Sequence, residues 1–246
     1  MKFIAWKQYF ESNRQHFDHL DWNDGSRLTQ QEKKLISSSI RQFQRGEHSE
    51  GKHFMAFAQS LQDPSYCETV KIFIREEQDH ALVLGRFMDL EQIGRLKDDW
   101  LDNVFRRLRK LAGLEGTVTV LLTAEIISMI YYRALGFVTS SGLLKAICKQ
   151  VLVDEEMHLR FQCYTLEIIY KRKSRPSLFF RGLTRSILMA GTIVMVWWFH
   201  RRVLRAGTYR FFSFFNAVWR EFKHCNGMIR GKSANLRVQN NINHAA

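Results

Sequence analysis

At 246 residues with 46% of them apolar, the chain suits one domain, or one domain with an appended segment, and can fill a sizeable core. Its four cysteines (Cys67, Cys148, Cys163, Cys225) form no C-x-x-C, which argues against a zinc ribbon, a rubredoxin-type iron site and a disulfide framework, and fits reduced thiols in a cytoplasm. The net charge of +13 is unevenly spread: residues 171–246 hold fifteen Lys and Arg against the single acid Glu221, a net +14, which leaves residues 1–170 at −1.

The opening M-K-F-I-A-W-K-Q-Y-F-E lacks the unbroken apolar run of a signal peptide, so a cytoplasmic protein is expected, with the inner membrane face as a peripheral location. Residues 1–28 form a lead-in whose amphipathic stretch, about 2–20, carries Trp6, Phe10 and Phe17. T-Q-Q-E, Thr29 to Glu32, reads as a capping box opening a long helix over 29–61. In D-P-S-Y-C-E, Asp63 or Ser65 caps a second helix over 65–93, with Pro64 in its first turn, Glu68 closing a second box and Gly94 near its end. A connecting helix is expected over 98–112, with Trp100, Val104, Leu108 and Leu111 on one face and Gly113 at its end. A third long helix spans 115–138, T-S-S-G breaks the chain, and a fourth runs over 142–172.

Four long helices with two short joins and a longer middle one predict an all-α fold, a ferritin-like four-helix bundle with one long crossover, over residues 29–172. Pro176 closes this body. A basic, aromatic-rich extension follows over 173–228, with helices expected at 178–205 and 208–224, and the polar tail 229–246 reads as disordered.

Two of the long helices share a pattern. R-E-E-Q-D-H holds Glu77-x-x-His80 and V-D-E-E-M-H holds Glu155-x-x-His158, and a spacing of three puts both side chains on one helix face. The spacing alone says little, because Glu50-x-x-His53 and Glu221-x-x-His224 repeat it. A di-metal bundle also needs one Glu on the helix preceding each motif, at matching height. Glu47 lies 30 residues before Glu77 and Glu125 lies 30 before Glu155, whereas Gly191 stands 30 before Glu221. With joins near 62 and 140, each pair sits about 15 residues either side of its turn, which brings antiparallel partners level.

The candidate ligands are therefore Glu47, Glu77, His80, Glu125, Glu155 and His158. Two divalent cations cancel the four carboxylate charges. Carboxylates with two imidazoles suit two iron ions or manganese, and open positions suit iron that meets dioxygen. Glu50 and His53 share a face with Glu47, so Glu50 either replaces Glu47 or adds a further carboxylate; solvated pairing with Arg45 or Lys52 is the competing reading. Glu221 and His224 read as surface. No catalytic residue beyond the metal ligands is indicated.

Glu47, R-E-E-Q-D-H, T-A-E-I-I-S and V-D-E-E-M-H together resemble the ferritin-like di-iron carboxylate superfamily over about residues 29–172, and look most like bacterial ferritin-like domain proteins. In some di-iron oxygenases the acid immediately before the motif Glu supports a ligand histidine. Asp154 fits that role and Glu76 fits it less neatly. The resemblance implies a di-iron oxygenase or oxidase that uses dioxygen, a small organic substrate and a separate electron donor. A ferroxidase of the bacterioferritin kind is one alternative, although its iron-attracting surface should be acidic. A metal-stabilised scaffold with a membrane- or RNA-binding basic segment is another. Tyr132, seven residues after Glu125, is either a core tyrosine with a bonded hydroxyl or a redox or pocket-wall tyrosine.

The run S-I-L-M-A-G-T-I-V-M-V-W-W-F, residues 186–199, has fourteen uncharged positions, short of the roughly 20 of a spanning helix, so a helix buried against the bundle is expected. Its basic and aromatic flanks suit a membrane surface first, then an acidic carrier protein, and nucleic acid less. A lipid, quinone or acyl-carrier-bound substrate follows as the preferred class.

Overall fold

A computed structural model describes residues 3–47, 51–96, 113–171 and 173–231, and these form eight helices and no strand. They are α1 (Ile4–Ser12), α2 (Gln30–Glu47), α3 (Lys52–Gln59), α4 (Pro64–Leu90), α5 (Gly113–Val138), α6 (Gly142–Tyr170), α7 (Arg175–Ala206) and α8 (Phe211–Ile229). The expected connecting helix at 98–112 and the tail from 232 lie outside the described residues.

Local chemistry sets the boundaries. At the start of α2 the reciprocal box is present: Thr29 N donates to Glu32 Oε2 at 2.7 Å and Glu32 N donates to Thr29 Oγ1 at 3.2 Å. Glu32 also accepts from the Ser140 backbone, tying the α2 entry to the turn between α5 and α6. Asp63 caps α4 by accepting from the backbones of Ser65 and Tyr66, with Pro64 in the first turn. Ser141 caps α6 through Leu144 N.

One expected helix is two. The span 29–61 divides into α2 and α3, because Gly51 caps α3 at φ 65°, in the left-handed region. Ile74 packs so closely there that a Cβ on Gly51 would lie 2.6 Å from its side chain. The long helix gives way to this close approach between α3 and α4.

α5 is buried nearly all round and packs along α6, which it meets through the three-residue turn at 139–141. α4 packs against α1, α2, α3 and α6. The C-terminal helices add to the same core rather than standing apart from it. Met189, Ile193 and Val196 of α7 and Phe214, Val218 and Phe222 of α8 share one apolar cluster with α1, α3, α4, α5 and α6. Gly207, between α7 and α8, lies so close to α5 that a Cβ there would sit 2.5 Å from the Ala134 Cβ.

The core has two apolar halves. One contains Trp6, Phe10, Phe73 and Phe161; the other contains Ile40, Leu84, Tyr132, Ile147 and Val151. On α4 the residues between the halves are Glu76, Glu77 and His80, and on α6 they include Asp154 and Glu155. All five are buried.

α7 departs from its expectation in part. Its inner face is buried through Arg185, Met189, Thr192, Ile193, Val196 and His200. Its outer face leaves Phe179, Phe180, Ile187, Val194 and Trp198 exposed. Among the described residues α5 and α7 are long and apolar enough to cross a membrane by length and composition alone, with 67% of the apolar window buried in α5 and 28% in α7. The fourteen-position run is the uncharged centre of α7, a 32-residue helix with Arg175, Arg181 and Arg185 before the run and Arg201, Arg202 and Arg205 after it.

Candidate metal centre

Six side chains converge between the two apolar halves. Donor atoms of Glu47, Glu77, His80 and Glu155 lie within 4.8 Å of one another, as do those of Glu77, Glu125 and His158. Glu77 belongs to both groups. Glu155 also reaches toward the second, with its Oε2 3.7 Å from His158 Nδ1. Each residue owes its place to a helix face. The Glu-x-x-His spacing aims two side chains from α4 and two from α6 at one point, while Glu47 ends α2 and Glu125 lies midway along α5.

The two imidazoles are held crosswise. His80 on α4 donates Nε2–H to Asp154 Oδ2 on α6 at 3.2 Å, and His158 on α6 donates Nε2–H to Glu76 Oε2 on α4 at 2.9 Å. Each outer carboxylate immediately precedes the motif Glu of the opposite helix. With the proton on Nε2, Nδ1 of each ring faces the centre: His80 Nδ1 lies 4.0 Å from Glu155 Oε1, and His158 Nδ1 lies 2.9 Å from Glu77 Oε1. Glu76 thus matches Asp154 in role, although its match to the pattern was the poorer one.

Around this set sits a ring of supporting groups. Tyr132 donates its hydroxyl to Glu47 Oε1 at 2.7 Å, which is the bonded core tyrosine of the two alternatives. Gln162 donates to Glu125 Oε1 at 3.3 Å. Asp154 accepts from Gln150, Asn13 and His16, the last at 2.7 Å. Asn13 donates to Glu76 as well, at 3.0 Å, so a single amide links both outer carboxylates. Phe73 stands edge-on to His158 with centroids 4.6 Å apart, and Phe17 stands edge-on to His80 at 5.8 Å.

Burial and crowding together set the protonation of the layer. Burial first, then the charges of Glu77 and Glu155, push the Glu47 carboxyl up to about 8. Burial and then Glu155 hold Glu125 well above the carboxylate range, and burial also raises Glu155. Burial alone would lower His80, but the Asp154 hydrogen bond and the neighbouring carboxylates outweigh it and raise the ring to about 9. His158 rises well above its usual value for the same reason, through Glu155, Glu76 and Glu77. Asp154 goes the other way. Burial opposes its charge, yet hydrogen bonds from His16 and His80 hold it below the usual carboxylate range. The outer carboxylate is therefore a settled anion, whereas the inner ones have a charge that needs a cation or a proton.

The donor chemistry fits two cations. Among the described residues His80 Nδ1, Glu125 Oε2 and Glu155 Oε2 are buried with no hydrogen-bond partner, an arrangement that costs about 1–3 kcal/mol per group unless something binds there. Four carboxylates and two neutral imidazoles balance two divalent ions, and an all N/O set suits iron or manganese.

The structure brings together all six residues expected from spacing. The alternative ligand Glu50 and the side chain of His53 lie outside the described residues. His224 is exposed, 3.9 Å from Glu221, which in turn faces Arg133, so that fourth spacing is a surface pair. Sequence reasoning missed Asn13, His16 and Gln162. A polar N-H run at the end of an amphipathic lead-in was the only hint for the first two. No protein-family model, curated protein or solved structure matches the chain.

Proposed function

We propose that Glu47, Glu77, His80, Glu125, Glu155 and His158 hold two iron ions, with manganese as the competing metal, and that the chain is a dioxygen-dependent oxidoreductase acting on a small organic substrate. The observation that carries this reading is the pair of overlapping donor groups sharing Glu77, each with an imidazole whose outer nitrogen is fixed by a carboxylate from the opposite helix. The same reading assigns α2, α4, α5 and α6 to a ferritin-like bundle, with α7 and α8 packed on it.

When bound, a ferrous pair supplies electrons to dioxygen and thereby oxidising power toward the substrate. The protein's own residues do the rest. Asp154 and Glu76 keep protons on the outer nitrogens of His80 and His158, so the inner nitrogens are available as neutral ligands. Tyr132 orients Glu47 and can return a proton to it, while Gln162 orients Glu125. Phe10, Phe73 and Phe161, all fully buried, close one side of the layer against water.

Metal analysis of the purified chain, with its optical spectrum after anaerobic ferrous iron and then air, tests the reading. The expected result is about two irons per chain and a charge-transfer band that develops on oxidation. No bound metal at neutral pH, with helicity intact, would overturn it. Oxygen uptake that saturates after the bound iron is oxidised, rather than continuing with iron supply, separates an oxygenase from an iron-storing ferroxidase.

A further inference from the structure

We infer that the outer face of α7 is a membrane-docking surface that lies in the plane of an anionic bilayer, with the helix axis parallel to it. Phe180, Leu183, Ile187, Val194 and Trp198 are spaced by three, four, seven and four residues, whole turns of an α-helix, and are all exposed, so they line one face of the helix. From 180 to 198 that face runs about 27 Å at the α-helical rise. Between Ile187 and Trp198 it dips into an open groove of about 460 Å³ beside Gly191. A contiguous apolar stripe of this length on a protein surface marks an interaction site.

Charge identifies the occupant. Lys173 and Arg175 stand at the start of the stripe, and Arg202 and Arg205 continue the same face four and seven residues beyond Trp198. All four are exposed. The only acid between residues 171 and 246, Glu221, faces Arg133. A second copy of the chain fits poorly. Pairing two stripes, parallel or antiparallel, sets basic ends against basic ends. Between Leu183 and Trp198 the exposed positions of this face offer an acidic protein only Thr184 and Gly191 besides apolar groups, with no charge to read. An anionic bilayer meets both requirements, with phosphates for the ends and hydrocarbon for the middle.

The opposite face fixes the orientation. Arg185 donates to Asn226 of α8, and Ser39 of α2 is 2.8 Å from His200 Nδ1, so α7 is bound to the body along its length. It cannot be surrounded by lipid without carrying the bundle with it. The aromatic ends, Phe179 and Phe180 at one and Trp198 and Phe199 at the other, suit the headgroup level. This inference stands independently of the metal reading.

Flotation of the full chain with extruded vesicles tests it. At about 0.1 M salt the chain should float with phosphatidylcholine vesicles containing one quarter phosphatidylglycerol, and bind at least tenfold more weakly to pure phosphatidylcholine. Ile187→Gln with Val194→Gln replaces two side chains that are 65% and 56% exposed, so the fold should survive, with unchanged circular dichroism and melting. It removes apolar insertion without altering charge, and should cut binding to anionic vesicles at least tenfold. Arg202→Glu with Arg205→Glu should abolish the preference for phosphatidylglycerol. Failure of the parent chain to float with anionic vesicles overturns the proposal, as does equal binding by the Ile187/Val194 variant. A solution dimer that this variant dissociates would assign the face to a second copy. Binding to polyglutamate that matches vesicle binding and ignores the variant would leave only the charges functional.

Discussion

The mid-layer of the bundle and the outer face of α7 break the ordinary rule of burial in opposite directions. Glu77, Glu125, Glu155, His80 and His158 put ionisable groups where water is absent, and Phe179, Ile187 and Trp198 put apolar groups where water is abundant. Both arrangements cost free energy in the isolated chain, and on the two proposed readings each would be relieved by a partner the chain does not encode. They differ in how narrowly they specify that partner. The mid-layer fixes donor type, number and spacing, so on the reading proposed above it would select a small hard-to-borderline cation. The α7 face fixes only a length, a polarity and a sign of charge, so it selects a class of surface.

That contrast can be broken most sharply at Glu77. Because it lies in both donor groups, Glu77→Ala should lose both metal ions, whereas Glu47→Ala and Glu125→Ala should each retain about one; elemental analysis of the three variants decides. Equal losses in all three would mean that the groups are not two overlapping sites. Asp154→Asn is expected to have the next largest effect. It keeps shape but removes the anion that holds His80 and His16, and metal affinity should fall about 10- to 100-fold in a chelator-competition titration.

Acidity gives a third, smaller effect. Glu47 is pushed up to about 8 and His80 to about 9, so both hold protons at neutral pH that a cation must displace. Metal affinity should therefore rise with pH between 6 and 9 and level off above, as read by competition at fixed chelator; a flat profile would place the ions elsewhere. The smallest effect belongs to the surface. Glu32→Ala removes the box at Thr29 and the tie to Ser140, and should cost about 1–2 kcal/mol in chemical denaturation. Burial opposes the Glu32 charge, but the Thr29 and Ser140 hydrogen bonds outweigh it and lower the carboxyl from 4.5 to about 2. Its depressed value makes that contribution present above pH 4.5 and lost as pH falls toward 2, so the parent and variant should converge there.

The six inner residues were legible in the sequence because helical periodicity is local, and because equal counts from a tight turn force two antiparallel residues level. Capping at Thr29 and Asp63 was legible for the same reason. Asn13 and His16 were not, since their partner Asp154 is set by how the lead-in docks on the bundle, and no local pattern records that. The break between α2 and α3 follows from the approach of Ile74 to Gly51, again a tertiary fact. Hydropathy gave α7 a buried helix but could not divide its faces. The division depends on which side α5 and α8 occupy.

Asn13 has one more consequence, in time rather than in space. Its hydrogen bond to Asp154 joins residues 141 apart in the chain. At ordinary synthesis rates of roughly 5–20 residues per second, the lead-in waits about 7–30 s for its partner to be made. During that interval Trp6 and Phe10 have no α6 to cover them, and the crosswise support of His80 cannot exist. The buried layer therefore cannot be completed before α6 is made, and on the reading proposed above a chain cut short of Asp154 should not hold the two ions.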